Sequence, residues 1–308
     1  MEDRNPRASA SQETLASIYS LQQLEPSPID SPDAEDVDKQ LADTKPAPPH
    51  RTGTLGLSGG GYGTVYYLTR LQRYSSYVFA LYTTAHITNT SLLPLLTRSV
   101  PASETYLLLT RPYYQSFPFE HLLITLPLAT HILSGIALRV RRRNQNLARY
   151  GASHLPITTR LQKRLSVWPA VSWTSMSGYM LAPLVAGHAF VNRVIPWWYE
   201  GGSSSVGLGF VSHGFAKHPF IAWTGYIGLV GVGVGHFVWG TAKWMDWVPV
   251  GNDKKAKRRW WTINGVWLLS AAIWMAGGLG VVGRGGKSDG WVGKGYDELY
   301  AQVPLVKL

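Results

Sequence analysis

A pattern that occurs twice limits what this chain can become. Ser75-Ser76-Tyr77 leads into an apolar stretch with His86 at its centre and Pro94 eight positions later, and Ser177-Gly178-Tyr179 leads in the same way to His188 and Pro196. Tyr and His stand nine positions apart in both copies. Each copy is followed by a second apolar stretch built on His-x-x-x-Gly-x-Ala, first His131, Gly135 and Ala137, then His236, Gly240 and Ala242. Each is preceded by nearly the same run, Thr69-Arg70-Leu71-Gln72-Arg73 and Thr159-Arg160-Leu161-Gln162-Lys163. Matches that recur in one order mark an internal duplication of a two-helix unit, with one central histidine per helix.

The solvent these helices are built for follows from their length. From Tyr74 onward come apolar segments at about 75–96, 119–140, 171–195, 219–241 and 260–282. Each approaches the ~20 residues that a bilayer span requires. The formal net charge of +11 therefore belongs to loops between spans rather than to a nucleic-acid-binding face. With no cysteine, disulfide and thiol chemistry are excluded. Tryptophans flank the spans (Trp197, Trp198, Trp244, Trp247, Trp260, Trp261), where an amphipathic ring suits the headgroup region. No Gly-x-Ser-x-Gly elbow, paired carboxylates or His-Glu-x-x-His motif points to a hydrolase, and the chain reads as a non-enzyme.

The fold class expected is an all-α membrane protein: five transmembrane helices, formed by a duplicated two-helix unit plus one C-terminal helix, with a disordered N-terminal tail. Residues 1–68 form the tail and a glycine-rich tether, 69–283 the membrane domain, and 284–308 a short C-terminal tail. Within the membrane domain the repeats cover about 69–140 and 159–243, and the fifth helix covers 260–282. The first fifty residues hold ten acidic and four basic side chains and little that could form a core. Their acidity also makes a poor secretory signal or mitochondrial presequence. Gly59-Gly60-Gly61-Tyr62-Gly63 has no Gly-Lys-Ser/Thr after it and reads as a tether rather than a phosphate loop. One island stands out, Leu21-Gln22-Gln23-Leu24-Glu25-Pro26-Ser27-Pro28. It reads either as a short linear motif or as ordinary Pro/Ser-rich composition, which Pro46-Ala47-Pro48 repeats without the leucines.

Basic residues crowd two loops, Arg139 to Arg164 and Lys254 to Arg259, while 97–118 and 196–218 carry few. That asymmetry places both basic loops and the tail on the cytosolic side. Counted inward from the ends of the apolar segments, His86, His131, His188 and His236 would share one layer, ~10–17 Å deep. Three readings of that layer stand. The first is haem ligation by facing imidazoles. The second is an interhelical polar layer that fixes packing, with Ser134, Asn89 and Asn192 as partners. The third is a proton or metal path, weakest because the spans read as free of Asp and Glu. No metal beyond haem iron is expected.

The run His131 to Ile136 resembles the cytochrome b membrane anchors of succinate dehydrogenase and fumarate reductase, one helix pair at a time. That resemblance implies a b-type haem-binding cytochrome or an oxidoreductase anchor subunit, with haem b as cofactor. The wider arrangement of acidic tail, five spans, Tyr-x8-His and His-x3-Gly-x-Ala is similar to the fungal mitochondrial outer-membrane family known as Mdm-ten-complementing protein one. This second resemblance implies an adaptor at membrane contact sites that supports mitochondrial lipid homeostasis. Its partners would be membrane lipids and a bridge-like lipid-transfer protein of the Vps-thirteen class, with no nucleic acid. It also implies that Leu21, Leu24, Pro26 and Pro28 bind that partner, since the family recruits it through a Pro-x-Pro motif.

Overall fold

The computed structural model describes residues 63–150 and 168–304. The tail with Leu21, Leu24, Pro26 and Pro28 lies outside the described residues, as does the Thr159 to Lys163 run. Every element among the described residues is helical. Helix α1 runs Thr64–Ile87, passes through a π-helical stretch Thr88–Leu92 and ends as Leu93–Thr97. Helix α2 is Val100–Thr110. Helix α3 opens with a π-helical stretch His121–Thr125 and continues as Leu126–Tyr150. Helix α4 joins Trp173–Ala189, the π-helical stretch Phe190–Val194 and Ile195–Glu200. Helix α5 is Leu208–Lys217 and α6 is Pro219–Trp244. Helix α7 is Lys254–Gly277 with a π-helical end Gly278–Val282, and α8 is Gly290–Tyr300.

Helix starts follow local chemistry. Ser99, Ser172 and Asp253 each accept a hydrogen bond from the backbone N–H three residues on, and so cap α2, α4 and α7. The π-helical stretches have a sequence cause as well. Pro94, Pro127 and Pro196 each follow such a stretch by two residues. Proline lacks an N–H and its ring crowds the carbonyl four residues back, so the helix widens ahead of it. In each case the residue before the proline bonds five residues back, Leu93 to Thr88, Leu126 to His121 and Ile195 to Phe190.

The first helices of the two copies share their local structure, and each packs on the helix that follows its copy's histidine. Helix α1 packs on α3, and α4 packs on α6. A shift of 102 positions carries Ser75 to Ser177, His86 to His188, the π-helical stretch 88–92 to 190–194, and Pro94 to Pro196. It also carries the bond from Ser75 Oγ to Gln72 O onto that from Ser177 Oγ to Thr174 O, both 3.1 Å. Helix α7 stands outside the repeat, against α6 and the π-helical stretch of α1. There Ser91 Oγ donates to Trp274 O at 2.7 Å.

The distribution of polarity is that of a protein in lipid. Ser75, Asn89, Ser91, Ser134 and Ser177 are buried between helices, while Leu81, Leu133, Trp261, Leu268 and Leu269 face outward. Without a water-driven hydrophobic force between helices, small and polar side chains make the close contacts. His121–Asn146, Pro219–Trp244 and Lys254–Val282 are long and apolar enough to cross a bilayer, so this is a multi-pass membrane protein.

At one end of the bundle, segments expected as loops and tail form a cap. Helices α5 and α8 meet around Ile195, Val206, Phe210, Leu299, Tyr300 and Val303, and α2 and α7 add Leu107 and Val282 against Leu208. Tyr300 stacks on Phe210 at 4.4 Å and donates to its carbonyl. A Cβ at Gly214 would lie 2.1 Å from Tyr300 Oη, so that helix position requires glycine. Buried His213 donates from Nε2 to Asp297 Oδ1 at 2.9 Å and accepts at Nδ1 from Ser288 N at 3.0 Å. These contacts make the C-terminal segment a docked element.

The bond from His213, with a second from Lys217, holds the Asp297 carboxyl below its ordinary range. A carboxylate whose folded pKa is depressed stabilises the fold at pH above its ordinary value, and that contribution is lost as acid protonates it. At neutral pH, Asp297→Ala leaves the His213 N–H buried without its acceptor, a cost of about 1–3 kcal/mol. Helix α8 should then become cleavable by a protease that spares it in the parent. Equal resistance in both chains would show that the pair does not hold α8 down.

Candidate functional site

The four repeat histidines meet between helices, and they form two pairs rather than one layer. His86 of α1 meets His188 of α4 with ring centroids 5.9 Å apart and planes at 74°. His131 of α3 meets His236 of α6 at 6.1 Å and 87°. Each pair therefore joins one half of the duplication to the other. His131 is level with Gln72, whose carbonyl lies 3.1 Å from its Nδ1. Gln72 lies fourteen residues before His86 on the same helix, about 21 Å along its axis. The shared depth expected from the apolar segments fails for a physical reason: α1 begins at Thr64 and α3 continues to Tyr150, well past where hydropathy ends.

The two pairs have different surroundings. His86 is stacked on Tyr82 at 5.4 Å, and Tyr82 in turn meets Tyr114 edge-on at 5.4 Å. His188 meets Tyr226 at 5.5 Å. The Asn192 amide donates to His188 O at 2.8 Å and lies 3.4 Å from both His188 Nδ1 and Tyr226 Oη. This pair is thus enclosed by aromatic rings and an amide. His131 and His236 instead have serine and glycine near them: Ser134 Oγ donates to His131 O at 3.1 Å, Ser177 Oγ lies 3.1 Å from His236 Nδ1, and a Cβ on Gly178 would come within 3.0 Å of His236 Cε1.

A carboxylate does enter the bundle. Glu120, just inside the expected second span, pairs through both oxygens with Arg193 from the π-helical stretch of α4. Arg193 also donates to Ser203 Oγ. A bidentate partner already neutralises this carboxylate, which makes it a clamp between the halves rather than a proton relay. The in-helix arginine was the sequence signal for it, since a guanidinium in a membrane helix demands a partner.

The remaining members of the cluster, Tyr82, Tyr114 and Tyr226, carried no such signal, because aromatic residues are common throughout the spans. Among the described residues, no three His, Asp or Glu side chains converge on one point. His213 lacks the arrangement of a catalytic base, because its second nitrogen accepts a backbone N–H rather than facing a hydroxyl.

Residues 183–287, from within α4 to just past the end of α7, match the family model described as the MDM10-complementing protein 1 transmembrane domain. No curated protein and no solved structure matches the chain.

Proposed function

From the premise that over residues 183–287 the chain belongs to the MDM10-complementing protein 1 transmembrane-domain family, we propose that it is a five-span adaptor of the mitochondrial outer membrane. In this reading its cytosolic tail recruits a bridge-like lipid-transfer protein of the Vps-thirteen class to contact sites, and the protein is not an enzyme. The family match is the observation that carries the reading. Three features support it. Helices α1 and α4, taken with their π-helical stretches, have the length to cross a bilayer beside the three clear spans. Leu21, Leu24, Pro26 and Pro28 stand close together in sequence, within an acidic, Pro/Ser-rich tail, as a short linear motif would. More of the basic residues stand at one end of the bundle than at the other.

At that end, Arg73 lies 5.8 Å from the Trp244 ring and donates to Trp244 O at 3.2 Å. Arg143 sits 4.6 Å from the Trp168 ring, and Arg139 donates to Pro169 O at 2.8 Å. Lys254, Lys255, Lys257, Arg258 and Arg259 open α7 there too. The opposite end carries the α2–α5–α8 cap. Basic residues next to interfacial tryptophan mark the cytosolic face.

The expected result is that protease added to intact mitochondria removes the first fifty residues and cuts within 141–165, leaving α8 protected. A tail that survives until the membrane is opened would reverse the orientation and remove the basis for an adaptor.

A further inference from the structure

We propose that a groove between the ends of α1 and α7, flanked by Arg98 and Arg284, holds the headgroup of one anionic phospholipid. Helix α1 stops at Thr97 and α7 stops at Val282, so both arginines follow directly on the end of a long helix. Leu95, Pro101, Ala276 and Val281 supply apolar wall to the groove, whose volume is about 600 Å³. Gly280 also lines it, and there an added Cβ would meet nothing closer than Met275 O, at 3.8 Å. The space therefore stays open because this position has no side chain. A guanidinium set just past the apolar part of a span stands at the depth of lipid headgroups.

Charge then selects the occupant. Among the described residues the ion-paired carboxylates are Glu120 and Asp297, held by Arg193, His213 and Lys217. Arg111, at the same end of the bundle, gives its guanidinium to the carbonyls of Ser204 and Val206. Arg98 and Arg284 take no part in these pairs and bonds. A phosphate can accept paired N–H bonds from a guanidinium, and a second arginine favours a lipid with net negative charge. The apolar wall separates a lipid from a soluble anion, since only the lipid brings hydrocarbon to cover Leu95 and Val281.

The backbone at Arg98 adds a separate sign. Its φ is 53°, in the left-handed region where a residue that ends a helix is ordinarily glycine. Arginine stands there against that preference, and a bound phosphate supplies the reason for its side chain. With the orientation proposed above, the groove opens to the leaflet away from the cytosol. Binding depends neither on that orientation nor on the tail's partner, so its failure would leave the adaptor reading in place.

The test uses the full chain, purified in detergent and stripped of lipid. Equal amounts of dioleoyl phosphatidylglycerol and dioleoyl phosphatidylcholine are added, and native mass spectrometry counts what stays bound. The parent should retain one phosphatidylglycerol in preference to phosphatidylcholine. Arg98→Gly/Arg284→Gln should lower that retention about tenfold, the scale of lost charge-assisted bonds. Glycine suits the backbone at residue 98, so this loss does not arise from misfolding. Gly280→Phe keeps both arginines but fills the groove, and should lower retention as far. Lys287→Gln/Lys294→Gln removes the same charge from exposed positions at the same end and should bind as the parent does. Excess inorganic phosphate should leave the lipid in place. Equal retention of the two lipids, full retention by the arginine variant or by Gly280→Phe, equal loss from the lysine variant, or displacement by inorganic phosphate would each overturn the proposal.

Discussion

Gly277→Ala should separate α7 from α1, whereas Gly265→Ala on the same helix should not. A Cβ built on Gly277 lies 1.9 Å from Ser91 O and 2.7 Å from Ser91 C, and both are backbone atoms of the π-helical stretch in α1. No rotamer change relieves a contact with backbone, so one helix must move. That movement strains the 2.7 Å bond from Ser91 Oγ to Trp274 O. Overpacking of this kind costs about 1–3 kcal/mol, and more where both sides are rigid. At Gly265 nothing lies within 4 Å. There the change brings only the helix preference for alanine, a gain of about 0.5–1 kcal/mol. Thermal unfolding in detergent, followed by tryptophan fluorescence, should therefore show the two variants shifting in opposite directions. Equal midpoints would mean that α7 does not make this seam, and with it the close approach of the fifth helix to the repeat would be lost.

The duplication was legible because both copies kept the groups that a buried helix pair cannot replace freely. Ser75 and Ser177 return a proton to the helix backbone, the histidines meet across the two halves, and Pro94 and Pro196 set the π-helical stretches. Pro127 obeys the same rule at the start of α3 and could have been read from the chain. The pairing of the histidines could not. It depends on the register between antiparallel helices, and hydropathy places a helix end only where side chains stop being apolar. Helix α1 carries Arg70 and Arg73 for two turns before that point, so depth counted from the apolar edge misplaced His131 relative to His86.

The cap was hidden for a different reason. Leu208–Lys217 and Gly290–Tyr300 contain glycines that disfavour isolated helices, and each becomes helical by packing on the other. Gly214 illustrates the conflict, since its propensity argues against a helix while its missing Cβ admits Tyr300. The same helices explain why the C-terminal segment read as a tail.

In the adaptor proposal the tail motif is the point of contact with the partner, and its loss should have the largest effect on the cell. Proline fixes φ and has no N–H, so a sequence with Pro26 and Pro28 is expected to lose little entropy if it docks in an extended or polyproline form. Leu21 and Leu24 stand three positions apart, the spacing that would put both on one side of a helical turn as an apolar anchor if that segment docks as a helix. Burying two leucines contributes about 3–6 kcal/mol before ordering costs. That sum fits a reversible contact in the micromolar range rather than a permanent complex. A Pro26→Ala/Pro28→Ala variant should stay in its membrane, since α1 to α8 are untouched, yet fail to bring the lipid-transfer protein to mitochondria. Pro46→Ala/Pro48→Ala removes the same spacing without leucines nearby and should recruit as the parent does. Co-localisation of the partner with the organelle, scored in cells that carry each variant, distinguishes the outcomes. Full recruitment by the Pro26/Pro28 variant would remove the motif from the mechanism. Equal loss from both variants would show that the prolines act through the tail's general stiffness, and that Leu21 and Leu24 do not set the site apart.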